Sequence, residues 1–106
     1  MRYLVVSEQN SPIPPEMAPG LFAAMKAFSA GSIASGKAEQ TWGFAGVQGG
    51  GAILNVESPE ELDAIMAEFP FGPFSRTTIY SLVDLNRSLD NASKAFGAMM
   101  GGMAAH

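Results

Sequence analysis

The stretch Gly49 to Phe74, GGGAILNVESPEELDAIMAEFPFGPF, constrains the fold more than any other, because it encodes a strand, a capped helix and a stop in succession. Ala52, Leu54 and Val56 alternate with Ile53, Asn55 and Glu57, the period of a strand with one apolar face. Ser58-Pro59-Glu60-Glu61 then supplies an N-cap hydroxyl, a proline at the first helical position and a carboxylate that can reach back to the cap backbone. Leu62, Ile65, Met66 and Phe69 follow at i, i+3, i+4 and i+7, one apolar stripe, and Pro70 and Pro73 stop the helix.

The elements around this stretch complete a pattern. Arg2 to Ser7 reads as a strand with Tyr3, Val5 and Ser7 on one face and Leu4 and Val6 on the other. The prolines of Asn10 to Pro15 make a loop. A helix follows, with Leu21, Phe22, Met25, Phe28, Ser32 and Ile33 as its stripe, Pro19 near its start and Gly36 at its C-terminal cap. Glu39 to Ala45 is a second strand anchored by Trp42 and Phe44, with a hairpin turn over 46–50, and Thr77 to Leu85 is a fourth strand. The order β-α-β-β-α-β predicts an α+β, ferredoxin-like domain over residues 1–85, a four-stranded antiparallel sheet with both helices on one face.

The other face, expected to carry Tyr3, Trp42 or Thr41, and Tyr80, needs a cover, and a second subunit is the simplest one. Residues 86–106 form an added C-terminal helix, with Leu89, Ala92, Phe96, Met99, Met100 and Met103 at helical spacing behind an Asn86 or Ser88 cap. It is expected to dock, as a partner surface or pocket lid, or else to be a loosely packed tail.

With 106 residues, 47% hydrophobic and 15% charged, and no twenty-residue apolar run, the chain reads as one globular domain with no membrane span. No basic region precedes an apolar segment at the start, so no secretory signal is expected and the cytoplasm is the expected location. Ten carboxylates against six Lys or Arg give a net charge of −4, and no basic patch speaks for nucleic acid. There is no cysteine, and the one histidine is the last residue, His106. Thiolate nucleophiles, a histidine triad and a multi-histidine metal site are thereby excluded within one chain. Gly49-Gly50-Gly51 joins two strands and not a strand to a helix, so it is no phosphate loop.

Gly36, Trp42 with Ala45-Gly46 after it, the strand running into Ser58-Pro59-Glu60-Glu61-Leu62, and Phe69-Pro70-Phe71-Gly72-Pro73-Phe74 together resemble the muconolactone isomerase-like proteins of the dimeric α/β-barrel superfamily. The match is best over residues 36–85. The resemblance implies a subunit that pairs its sheet face to face in a homodimer or higher homo-oligomer. It implies isomerisation of an unsaturated lactone with no metal or organic cofactor. Lys26 falls near a helix lysine of such enzymes. The chain departs from the family pattern just before the tryptophan, where Glu39, Gln40 and Thr41 stand in place of basic and histidine residues, and in its tail.

Shifting a double bond beside a carbonyl needs a base, a donor for the developing enolate oxygen and an apolar pocket. Glu39 is the candidate base, or a solvated strand-end carboxylate. Arg76 is a candidate carboxylate clamp, or a rim charge. Tyr80 shares parity with Arg76 and Thr78 and converges with them on a ligand, or closes a dimer interface. Tyr3, Trp42, Asn55 and Thr78 are candidate substrate contacts, Trp42 also reading as core and Asn55 as a cross-strand pair. Lys26 otherwise covers Phe22 with its stem.

Three functions remain open on these residues. They are an isomerase or proton-transfer cyclase on a small apolar, lactone-like or polyketide-like carbonyl compound, a cofactor-independent monooxygenase on a phenol, and a non-catalytic binding or assembly module.

Overall fold

The computed structural model describes residues 1–104, with side chains through Gly101; His106 and the side chain of Met103 lie outside the described residues. Strand β1 (Arg2–Gln9) leads to helix α1 (Ala18–Ala34), strands β2 (Ala38–Gly43) and β3 (Gly49–Asn55), helix α2 (Pro59–Ala67), a 3-10 turn at Gly72–Phe74, strand β4 (Ser75–Leu82) and helix α3 (Leu85–Ala104). The sheet is antiparallel in the order β2-β3-β1-β4. This is the split βαβ arrangement that the element order implies.

The register assigns each residue to a face. Val5 lies opposite Ala52 and Ile79, and Tyr3 opposite Leu54 and Ser81. Leu62, Ile65 and Met66 of α2 pack on this side, closing a core of Val5, Ala38, Leu54, Val56 and Leu62 with Tyr3 and Ala52 at its edge. Tyr3 therefore belongs to the helix-covered side, not to the open side expected for it. Thr41 joins it there, since it pairs with Ala52 and accepts a hydrogen bond from Ser29 of α1 at 3.3 Å. On the open side stand Leu4, Val6, Ile53, Trp42, Thr78 and Tyr80, so Trp42 and Tyr80 lie where they were expected.

Local chemistry explains where elements begin and end. The Ser58 hydroxyl accepts from Glu61 N at 3.1 Å, as the capping motif requires, and Glu61 Oε2 accepts from Glu57 N at 3.0 Å, one residue before the cap. Helix α2 ends at Ala67 and releases Phe69, which lies beyond the helix instead of continuing its stripe. The third strand starts at Gly49, earlier than the alternation of Ala52, Leu54 and Val56 suggests, and the glycines belong to it and not to the turn. A Cβ on Gly49 would collide with the Ser7 carbonyl oxygen, one on Gly50 with the Trp42 carbonyl oxygen, and one on Gly51 would lie 2.7 Å from the Trp42 ring. Pairing at this point tolerates no side chain, which is why the strand opens on three glycines. The second strand runs Ala38–Gly43 and leaves Phe44 in the turn, where Gly46 adopts φ +87°.

Helix α1 ends as expected, with Gly36 at φ +77°. Its stripe is rotated from the expected one. Leu21, Met25, Phe28 and Ser32 are half-buried, while Phe22 and Ile33 are exposed. The helix meets the sheet along β2 and leaves room beneath it.

The fourth strand begins at Ser75 and ends at Leu82, short of Leu85. Asp84 then starts α3: its carboxylate accepts from Arg87 N at 2.9 Å and its carbonyl from Ser88 N at 2.9 Å. The cap is thus Asp84, not Asn86 or Ser88, since the helix follows the strand at once and the first carboxylate serves. Nor does α3 dock on its own domain. Among the described residues it makes no extended contact with another element, and Leu85, Leu89, Phe96, Met99 and Met100 stay exposed on a chain measuring 70 × 28 × 24 Å.

Candidate functional site

The residues picked out by chemistry fall into two groups on the open sheet face, and one falls outside both. Arg76, Thr78 and Tyr80 project together from β4, opposite Glu8, Val6 and Leu4 of β1. Glu39 stands at the β-bulge between Ala38 and Gln40 at the far edge. It accepts from Arg2 Nε at 2.8 Å and Nη2 at 2.7 Å, and from Asn55 Nδ2 at 2.7 Å. Tyr3 lies through the sheet on the other side, its hydroxyl 3.4 Å from Met1 Sδ.

Glu39 sits next to Gln40, one end of the row Gln40–Ile53–Leu4–Tyr80, so it and Tyr80 stand on opposite edge strands, three strand spacings or about 14 Å across the sheet. One small substrate does not reach both within a subunit. The electrostatics of Glu39 are those of a structural ion pair. Arg2's hydrogen bonds, then Asn55's, hold its carboxyl below the usual carboxylate range, and Glu39 in turn raises Arg2. A carboxylate so occupied is a weak proton acceptor. Asn55 serves as the cross-strand partner weighed for it, and Trp42 lies over Gly51.

The concave site is elsewhere, between α1 and the helix-facing side of the sheet. It is a cavity of about 610 Å³, within the range of small-molecule sites. Phe22, Met25 and Phe28 of α1 form one wall, Met66, Phe69 and Phe71 another, and Val5, Ala52 and Leu54 part of the floor. The aromatic rings interlock, with centroids 5.7 Å apart for Phe22–Phe71, 5.9 Å for Phe28–Phe69 and 6.2 Å for Phe69–Phe71. The segment that stops α2 therefore becomes the side wall of the cavity. The polar lining is sparse: hydroxyls of Ser7, Ser29, Ser32, Thr41 and Ser75, amides of Gln9 and Gln48, and one ionisable side chain, Lys26. Among the described residues Lys26 forms no ion pair, unlike Arg2 with Glu39 and Lys37 with Glu61.

Of the seven residues expected to bind or react, only Trp42 borders this cavity, at the β2 edge. One available signal pointed to it. The α1 stripe mixes Ser29 and Ser32 with Met25 and Phe28, and hydroxyls within an apolar stripe suit a cavity wall better than a packed core. Among the described residues no cluster of three His, Cys, Asp or Glu side chains could hold a metal ion.

A model of the family described as muconolactone delta-isomerase matches residues 1–87. No curated protein sequence matches significantly. Among solved structures, a muconolactone isomerase superposes with a TM-score of 0.72 at 22% identity, over 79% of this chain and 90% of that one. A 5-chloro-2-hydroxyhydroquinone dehydrochlorinase from Burkholderia phenoliruptrix, in complex with 2,5-dihydroxybenzoquinone, superposes with a TM-score of 0.65 at 17% identity, over 82% of this chain and 98% of that one. At these identities the likeness is one of fold.

Proposed function

The chain belongs to the muconolactone delta-isomerase family, and from that premise we propose that it is a proton-transfer isomerase, or a related cyclase, working without metal or organic cofactor on a small unsaturated lactone or similarly oxygenated ring compound in the cavity beneath α1. The observation that carries the proposal is the lining: apolar and aromatic walls, scattered hydroxyls and the single ionisable group Lys26. The names of the fold relatives, one an isomerase of a lactone and the other an enzyme of a hydroxylated ring, agree with a ligand of this size and polarity.

The reaction transfers a proton and changes no formula. A base removes a proton from carbon next to the conjugated system, the electron pair spreads to the carbonyl oxygen as an enolate, and the proton returns at a different carbon. Lys26 is assigned the transfer: its amino group takes the proton from one carbon and delivers it to the other. The apolar walls limit water around the ring, which favours reprotonation of the enolate by the protein. Muconolactone is the first substrate to test, followed by ultraviolet absorbance as the double bond moves. Lys26→Met is expected to lower kcat by about 100-fold or more. If Arg76→Ala and Tyr80→Phe abolish turnover while Lys26→Met leaves it intact, the reaction belongs to the open sheet face instead.

A second copy is the proposed cover of that open face, pairing two sheets into a barrel with Leu4, Val6, Ile53, Trp42 and Tyr80 between them. The apolar stripe of α3 would then lie on the partner. A ligand-binding role without turnover is the second reading, supported by the single ionisable wall residue; tight lactone binding with no product would favour it.

A further inference from the structure

Ser7 is the one buried polar residue among the described residues, at 7% exposure. It lies in a row that crosses all four strands on the helix-facing side: Gly43 opposite Gly50, Gly50 opposite Ser7, Ser7 opposite Thr77. The two glycines leave a shelf of bare backbone about 10 Å across, two strand spacings, ending at the Ser7 hydroxyl. The shelf cannot fill in at Gly50, because a Cβ there would meet the Trp42 carbonyl oxygen. Ser7, Gly43 and Gly50 all line the cavity.

The hydrogen bonding of Ser7 is slack. Its one side-chain partner is Thr77 Oγ1 at 3.4 Å, well beyond the usual 2.7–2.8 Å for O–H···O. A buried hydroxyl held this loosely has capacity to spare, and burying it costs free energy unless that capacity is used.

Resting on the proposed function, we propose that Ser7 holds the carbonyl oxygen of a ring-shaped ligand lying flat on the Gly43–Gly50 shelf. Thr77 donates to Ser7 Oγ, and Ser7 donates to the ligand oxygen. When a proton leaves the ring, charge collects on this oxygen, and the Thr77–Ser7 relay stabilises it. Lys26, on the opposing helix wall, faces the same space. The substrate class is thereby narrowed to planar cyclic carbonyl compounds: unsaturated lactones, cyclic enones and quinones.

The test reads the carbonyl itself. Infrared difference spectra of 2(5H)-furanone bound to the protein, with the carbonyl isotopically labelled, need no turnover. The wild-type carbonyl band is expected below its position in an apolar solvent, and Ser7→Ala should return it towards that position, with Thr77→Val giving a smaller return. An unmoved band in Ser7→Ala overturns the proposal, as does failure of furanone to bind. If Ser7→Ala does not fold, the Thr77→Val band decides, and no shift there overturns the proposal. A band shift without isomerase activity sinks the proposed reaction and leaves the carbonyl site standing. With turnover of muconolactone, Ser7→Ala should lower kcat about 100-fold with KM changed less than about threefold.

Discussion

At the scale of single residues, Gly49 and Gly50, expected in the hairpin turn, instead open a strand with Gly51 that has no room for side chains. Gly51 seats the Trp42 ring, whose atoms lie 2.7–2.9 Å from where a Cβ would be. Gly51→Ala should displace the indole and cost about 1–3 kcal/mol by overpacking, read as a lower denaturant midpoint together with a shift in tryptophan emission. The two ion pairs make a prediction in pH. Lys37's hydrogen bond, then Glu57 N, holds the Glu61 carboxyl below its usual range, and Arg2 does the same for Glu39. Carboxylates lowered in the folded state add stability above their unfolded value, near pH 4.3, and that stability is lost as pH falls through the folded value. Melting temperature should therefore fall less steeply between about pH 6 and pH 3 in a Glu39→Gln, Glu61→Gln double variant than in the wild type. Both pairs are solvent-exposed, so the difference should be small.

At the scale of elements, α2 carries its own instructions and α3 does not. Ser58→Ala removes the acceptor for Glu61 N and should cost about 1 kcal/mol in urea unfolding. Helix α3 has an Asp84 cap and an exposed apolar stripe but also Gly97 and Gly101 within it, a combination that is marginal for a helix standing alone. Truncation after Asp84 should leave the four-stranded sheet folded by circular dichroism and, if α3 lies on a partner as proposed, lower the melting temperature. An unchanged melting temperature would remove that role.

The elements themselves were legible because alternation, caps and prolines are local signals, and Leu54, Leu62 and Met66 pack where the pattern put them, while Val5 shares the face of Tyr3 and moves with it to the helix-covered side. Face was legible only in part. Tyr3 alternates with Leu4 under either choice of core side, and only the pairing of Tyr3 with Leu54 decides between them. The cavity was not legible, since it is the volume left when α1 stands on β2 and the Phe69–Phe74 segment closes its side. Chemistry alone therefore favoured Glu39, whose charge is taken up by Arg2, over Lys26 and Ser7, which matter only through that space.

At the scale of the whole molecule, two helices cover one side of four strands, and the open side still presents Leu4, Val6, Ile53, Trp42 and Tyr80. A partner burying about 800 Å² per subunit at roughly 25 cal/mol per Å² of apolar surface would add stability comparable to that of a small domain. Light scattering at micromolar concentration should give twice the 11.1 kDa chain mass or a higher multiple. A folded monomer would refute the obligate dimer and leave the cavity reading untouched, since every residue assigned to the cavity comes from one chain. That reading, proton transfer at ring carbon beneath α1, is tested most directly by proton NMR of muconolactone in deuterated water with stoichiometric protein. The account predicts that the wild type replaces ring protons next to the conjugated system with deuterium as product forms, and that Lys26→Met does neither. Bound muconolactone that keeps all its carbon-bound protons in the wild type would contradict it.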